Sequence, residues 1–298
     1  MARCRKIPGM IFKIPDVIFE AGGLQLSGSD VSPAGEPRAT ILALHGAGYS
    51  AGYWDHPIDP DASLLKLGPA LGYRVVAVDR PGYGASYSEA GPGMRMARQA
   101  EVVLDLASQL RADPGSGAGV FLIGHSMGAV LVLHMVAADD GGVISGADFS
   151  GLPYRFPEPV DPAIMEQGAH VPALDREFRR QLFYGPDGTF DPKVIEAEDA
   201  IVRPIPVADI IDAIDCAAAT PALAARVTAP MQVTWAEHDA TLAGDRATLQ
   251  ELGGLFTASP RVDLVWQLRS GHNISLDYLA RPYHLRAIAF FDEVLAGG

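Results

Sequence analysis

Short, unbroken apolar runs alternate with longer amphipathic stretches along most of this chain. Residues 39–44, 74–78, 120–123, 142–149, 231–235 and 262–266 read as strands, several of them apolar throughout, as burial on both faces requires. Between them, 63–71, 95–110, 129–138, 243–256 and 281–295 carry helical spacing; in the second, Val102, Val103, Leu106 and Leu110 share a face. Ahead of these, Met10 to Gly28 alternates enough for one or two antiparallel edge strands turning at Ala21-Gly22-Gly23. The strand–loop–helix rhythm predicts an α/β fold, a mainly parallel central sheet with helices on both faces.

That rhythm stops after Gly151. Residues 152–227 carry many prolines and helix-like pieces, from Ala163–Met165 onward to Tyr184 and from Val207 to Ala219, the latter bounded by Pro206 and Pro221. The interruption is too long for an ordinary loop. It predicts a helical cap inserted over the carboxyl edge of the sheet, where ligands bind in such folds. The expected organisation is a core of residues 1–151 and 228–298 with a lid of residues 152–227.

With 48% hydrophobic and 20% charged residues over 298 positions, the chain can bury a large core. A formal net charge of -13 argues against nucleic acid and anionic membranes as partners. The two cysteines, Cys4 and Cys216, lie far apart and in no metal spacing, which suits a reducing compartment without structural disulfides. The start is basic like a signal peptide, but Pro8, Gly9, Lys13, Pro15 and Asp16 break any apolar segment behind it. No run approaches membrane-spanning length. The expectation is a soluble cytoplasmic protein acting on a small molecule, with no metal or organic cofactor; the sequence is silent on oligomeric state.

The chemistry centres on Gly124-His125-Ser126-Met127-Gly128, between the apolar run 120–123 and a helical one. A serine in so sharp a strand-to-helix turn is forced into strained backbone, and glycines are needed two residues to either side. Its hydroxyl is pushed into the open beside the positive end of the helix. This predicts Ser126 as a nucleophile.

A serine hydroxyl needs a base in contact with it. His272, in Ser270-Gly271-His272-Asn273, follows the last strand and so shares the edge with Ser126. His125 is expected to point away from the hydroxyl, and His134 to pack inside its helix. The base in turn needs a carboxylate. Asp239 follows the strand 231–235 and is favoured over Asp148, at the end of an earlier strand, and over Glu237, on loop position. Two N–H donors are required for a tetrahedral oxyanion. One is expected from Met127 and the other from the turn His45-Gly46-Ala47-Gly48, with Ala47 the first choice and Gly48 the second. The aromatic loop after it offers Tyr53 or Trp54 for the acyl pocket or for packing beneath the lid, and Phe156, Phe178, Phe183 and Tyr184 for either the pocket roof or the lid's own core.

Taken together, His45–Gly48, Asp79-Arg80-Pro81-Gly82-Tyr83-Gly84-Ala85-Ser86, Gly124–Gly128, Glu237–Asp239 and Ser270–Asn273 resemble the α/β-hydrolase superfamily over nearly the whole chain outside the lid. The resemblance implies Ser126 as nucleophile, His272 as base and then acid, Asp239 as its orienter, and no cofactor. It also implies that the Asp79–Ser86 loop shapes the site without chemistry and that the lid selects substrate. The expected activity is cleavage of a carboxylic ester or thioester of a small apolar acyl substrate through an acyl-serine. The alternatives are a C–C bond hydrolase, a haloperoxidase-like enzyme, an acyltransferase or cyclase of a biosynthetic pathway, and a non-catalytic ligand-binding relative. Ser126 disfavours the dehalogenases and epoxide hydrolases of similar fold, which need a carboxylate nucleophile.

Overall fold

The computed structural model describes residues 16–88, 91–157 and 168–297. Met10 to Pro15, Cys4 and Ala163–Met165, for which the sequence suggested structure or a role, lie outside these residues. In chain order the first elements are β1 (Asp16–Ala21), β2 (Leu24–Val31), β3 (Thr40–Leu44), α1 (Leu64–Ala70), β4 (Arg74–Val78), α2 (Met96–Ala112), β5 (Val120–His125), α3 (Met127–Ala138) and β6 (Ile144–Ser150). The connection that follows holds β7 (His170–Val171), α4 (Arg176–Phe183), α5 (Lys193–Ala197), β8 (Ile205–Pro206) and α6 (Val207–Ala224). The chain then returns through β9 (Met231–His238), α7 (Arg246–Gly253), β10 (Val262–Gly271) and α8 (Ala280–Gly297).

The main sheet has the order β1-β2-β4-β3-β5-β6-β9-β10. β2 runs antiparallel to β1 and β4, and the remaining neighbours are parallel. β1 and β2 are joined through Gly22 and Gly23, both at positive φ, as a tight hairpin turn requires. In β3 and β5, and in β4 beyond Arg74, every side chain is buried, and the two-residue period sorts them. Ile41, Ala43, Val75, Ala77, Phe121 and Ile123 face α1 and α8. Leu42, Leu44, Val76, Val78, Val120 and Leu122 face α2 and α3. Two apolar layers therefore clamp one sheet, and the carboxyl ends of its parallel strands open on the same edge.

Two elements differ from their sequence reading. Pro221 does not bound a helix: α6 runs through it to Ala224. The turn before it is held by Thr220 Oγ1, which donates to the Cys216 carbonyl at 2.8 Å. The helical reading of 163–184 shrinks, among the described residues, to α4, because His170–Val171 pairs antiparallel with Ile205–Pro206 as a short ribbon. Asp175 caps α4 by accepting the Phe178 N–H, which fixes where that helix begins.

Candidate active site

Ser126 lies between β5 and α3 with φ 55 and ψ -118. The neighbours explain the strain. A Cβ at Gly124 would meet the Gly128 carbonyl oxygen at 2.5 Å, and one at Gly128 would meet that of Leu44 at 2.1 Å. Only glycines admit so tight a turn, and the serine between them absorbs about 1–3 kcal/mol of backbone strain. Its N–H donates to the Ser150 carbonyl at 2.8 Å, tying the turn to the end of β6. Gly46 closes the other side, since a Cβ there would stand 3.0 Å from Ser126 Cβ.

Parallel pairing of β9 with β10 brings Asp239 and His272 together, each just beyond its strand. His272 Nδ1 is 2.8 Å from Asp239 Oδ2 and 3.0 Å from Thr241 Oγ1. Thr241 uses its own hydroxyl proton on Asp239 Oδ1, at 2.6 Å. Both neighbours therefore accept, so Nδ1 carries the imidazole proton and Nε2 is left with its lone pair. The His272 ring lies between His125 (centroids 4.6 Å apart) and Phe183 (5.3 Å). Gly151 makes room for it: a Cβ there would stand 2.9 Å from His272 Cε1. Ser126 and His272 both line one cavity. No hydrogen bond joins them among the described residues.

The competing acids are occupied elsewhere. Asp148 accepts from Gln232 Nε2 and Tyr283 OH, both at 2.7 Å, and burial pushes its carboxyl up to about 6. Glu237 accepts the Arg269 N–H at 2.8 Å. Asp239 is the carboxylate in contact with His272.

For the oxyanion, the N–H groups of Ala47 and Met127 have no partner among the described residues, and both residues line the cavity. Gly48 does not fit the role the sequence offered it. Its N–H already donates to Tyr83 OH at 3.1 Å. That hydroxyl gives its own proton to Asp209 Oδ2 at 2.8 Å. Arg80 completes the scaffold: its guanidinium meets Asp209 at 2.6 Å, with both side chains wholly buried. Its Nε–H donates to the His45 carbonyl and its backbone N–H to His45 Nε2, at 2.8 and 3.0 Å. Burial, followed by the adjacent Arg80 charge, holds the His45 pKa well below its usual value, so its ring is neutral and accepts there. The Asp79–Ser86 loop thus braces the turn 45–48 from behind.

A second buried cluster ties the inserted segment to the site. Glu198 receives Arg179 Nε at 2.7 Å on one oxygen, and the hydroxyls of Tyr49 and Tyr184, each at 2.8 Å, on the other. Tyr49 OH accepts in turn from Asn273 Nδ2 at 2.7 Å. Burial pushes the Glu198 carboxyl up, against the opposing pull of Arg179.

The cavity measures about 220 Å³. Its walls are mostly apolar, including Phe156, Val171, Leu174, Phe178, Phe183 and Ile210. Phe156, Phe178 and Phe183 thus belong to the pocket, whereas Tyr184 serves Glu198. Tyr53 and Trp54 correct the sequence reading: neither borders the cavity. Both are fully buried in a 3-10 turn, Ala51–Trp54, and Tyr53 stacks on the far face of His125 at 4.8 Å. Tyr49, at the head of the same loop, takes their place.

Thr241, Asn273, Gly151 and Asp209 also border the cavity, and the sequence reading passed over them. Two had local signals: Asp239-Ala240-Thr241 is an Asx-turn pattern, and Gly151 sits where a strand ends at positive φ. Among the described residues no group of three or more His, Cys, Asp or Glu could hold a metal ion, and no helix is long and apolar enough to cross a membrane.

Comparison with known proteins agrees with this architecture. The model of a family described as alpha/beta hydrolase matches residues 41–284. A 2-hydroxy-6-oxononadienedioate/2-hydroxy-6-oxononatrienedioate hydrolase of Escherichia coli O81 (strain ED1a) is 35% identical over 97 residues, which is 32% of this chain and 30% of the relative. The chain thus matches about a third of the length of such curated relatives. Among solved structures, a thermophilic esterase from Thermogutta terrifontis superposes with a TM-score of 0.69 at 18% identity, covering 94% of this chain and 99% of the other. A thioesterase domain from the curacin biosynthetic pathway gives 0.64 at 16% identity, covering 93% and 99%. At those identities the likeness is one of fold.

Proposed function

The chain belongs to the alpha/beta hydrolase family, and from that membership we propose that it is a serine hydrolase cleaving a carboxylic ester or thioester of a small, largely apolar acyl substrate. One observation carries the reading. A strained serine and a histidine held by a carboxylate border the same apolar cavity.

In this reading His272 Nε2 removes the Ser126 hydroxyl proton as Oγ attacks the acyl carbonyl. The N–H groups of Ala47 and Met127 receive the oxyanion, a pair of donors together worth several kcal/mol. Asp239 keeps the Nδ1 proton in place and stabilises the imidazolium that forms. His272 then returns the proton to the departing alcohol or thiol. The same steps, with water as nucleophile, release the acid. The Ser126–His272 hydrogen bond forms on substrate binding in this reading, since catalytic hydrogen bonds are often long or poorly aligned in unliganded enzymes. Residues 152–227 act as the cap, and their aromatic and aliphatic side chains select the acyl group. A fluorophosphonate probe tests the assignment. Labelling at Ser126 and loss of ester hydrolysis in Ser126→Ala are expected; a probe that leaves Ser126 unmodified overturns it.

A C–C bond hydrolase is the second reading, supported by the match to the Escherichia coli hydrolase. That protein's named substrates are dicarboxylates. Here the cavity wall contains no Lys or Arg among the described residues, and its ionisable carboxylate, Asp209, is already committed to Arg80. A desolvated wall without a cation disfavours a dianion. Side-by-side assays on uncharged esters and on β-diketone substrates separate the two.

A further inference from the structure

Glu198 follows α5 in the segment inserted between β6 and β9, and it is fully buried. Three donors converge on its carboxylate. Arg179 Nε reaches one oxygen at 2.7 Å, and the hydroxyls of Tyr49 and Tyr184 reach the other, each at 2.8 Å. Arg179 is in turn held by its own segment, since its guanidinium also donates to the carbonyls of Leu174 and Ile195 and meets Asp199. The carboxylate is therefore fixed within the insertion. Of its three donors, Tyr49 is the one that comes from the core.

Tyr49 and Asn273 each adjoin a part of the proposed machinery. Tyr49 lies two positions beyond Ala47, the oxyanion donor of that reading, and Asn273 directly follows His272. Glu198 takes the Tyr49 hydroxyl proton, so the Tyr49 oxygen accepts from Asn273 Nδ2, at 2.7 Å. The carboxylate thus sets the direction of a hydrogen bond that ties two loops 224 positions apart. The insertion grips the same two loops again through backbone. The Arg203 N–H donates to the Gly48 carbonyl at 2.8 Å, and the Asn273 N–H to the Phe183 carbonyl at 2.9 Å. A buried ion pair is by itself a poor source of stability. What this one supplies is a fixed point shared by the oxyanion turn and the base loop.

Resting on the ester-hydrolase reading, we propose that Glu198 is a positioning residue: through the Tyr49 hydroxyl, it holds the Ala47 turn and the His272 loop in register with each other. Glutamine cannot take its place. An amide has one accepting and one donating end, so its NH2 would face either the Arg179 Nε–H or the two tyrosine hydroxyls. In the first arrangement two donors meet and Arg179 loses its charge partner. In the second the Tyr49 proton loses its acceptor, and the chain from Asn273 loses its direction. Tyr184 donates to the same carboxylate oxygen, yet the Asn273 amide bonds to Tyr49 and not to it. The two tyrosines therefore separate the link to the site from the burial of the carboxylate.

Tyr49→Phe keeps the ring and removes the link, whereas Tyr184→Phe takes a like hydrogen bond from Glu198 and keeps the link. In Tyr49→Phe and in Glu198→Gln, kcat is expected to fall about 10–100-fold with KM little changed. In Tyr184→Phe it is expected to stay near native even where the melting temperature drops. Both of the first two substitutions break one chain, so the double variant is expected to be no slower than the slower single one; independent damage would multiply. Native kcat in Tyr49→Phe, equal losses in the two tyrosine variants, or multiplied losses in the double variant overturn the proposal. If Glu198→Gln does not fold, the tyrosine pair decides. The rate at which a fluorophosphonate labels Ser126 separates the proposal from the ester reading, because labelling needs the base and the oxyanion turn but no ester turnover. Labelling of the native protein without ester hydrolysis sinks the ester reading alone, and slower labelling in Tyr49→Phe than in Tyr184→Phe then still supports the role of Glu198. A native protein that does not label overturns both.

Discussion

Thr241 donates to one oxygen of Asp239 at 2.6 Å, leaving the other to the His272 imidazole at 2.8 Å. The carboxylate is thus fixed from two sides, and the imidazole can carry its proton only on the inner nitrogen. Replacing Asp239 by Asn presents an amide that can donate to Nδ1 and so favours the wrong tautomer. Asp239→Asn is expected to lower kcat by about 10⁴-fold with KM little changed. Steady-state kinetics on any ester substrate checks this; retention of more than a tenth of native kcat would contradict the assigned role.

Gly151 controls where the imidazole sits. At φ +65 it already occupies backbone that side chains rarely adopt, and a methyl group there would press on His272 Cε1 at 2.9 Å and on His125 Cε1 at 3.1 Å. Gly151→Ala is expected to displace the base and lower kcat about 10²-fold, the usual consequence of a misplacement near 1 Å. A modest loss of stability, about 1 kcal/mol, should accompany it. Kinetics and thermal melts on the same sample distinguish the two effects.

The elbow stores strain that glycine can release. Ser126→Ala keeps a Cβ at φ 55, whereas Ser126→Gly removes it. Both variants are inactive in the proposed mechanism, so their difference reports the backbone alone. Ser126→Gly is expected to melt a few degrees above Ser126→Ala, corresponding to about 1 kcal/mol. Equal melting temperatures would mean that the turn is not strained.

Burial pushes the Asp277 carboxyl up to about 8. One of its oxygens accepts the Leu279 N–H at 2.7 Å, and burial outweighs the opposing pull of Ser270 and the Leu279 and Gly271 N–H groups. Between about pH 4 and pH 8 the unfolded chain releases this proton and the folded chain keeps it. The unfolded state then binds fewer protons, so Asp277 lowers stability progressively as pH rises through that window, and most above it. Asp277→Asn is expected to match the native melting temperature near pH 4 and to exceed it increasingly up to pH 8 and beyond. Melts across that range provide the check.

The sequence made the centre of the site legible and its periphery opaque, for one physical reason. Ser126 is specified by residues within a few positions of it, because strand, tight turn and helix are all local. Asp239 and His272 are legible because strands of a parallel sheet all end on one edge. The aromatic loop offered Tyr49, Tyr53 and Trp54 with nothing to rank them. A single 3-10 turn decides it, burying Tyr53 and Trp54 behind His125 and leaving Tyr49 at the cavity. Gly48 looked as suitable as Ala47 until its N–H met Tyr83, a contact spanning 35 positions. Asp209 and Glu198 were invisible, since their partners Arg80 and Tyr49 lie 129 and 149 positions away.

Arg80 and Asp209 also bear on how the molecule assembles. Arg80 follows β4 at the heart of the sheet, but its counter-charge arrives on α6, from the segment inserted between β6 and β9. In the folded protein a guanidinium buried there without that carboxylate would cost about 3–5 kcal/mol. The insertion is therefore no detachable accessory. It supplies half of the most buried charge pair next to the site, so removing it would leave Arg80 without its counter-charge.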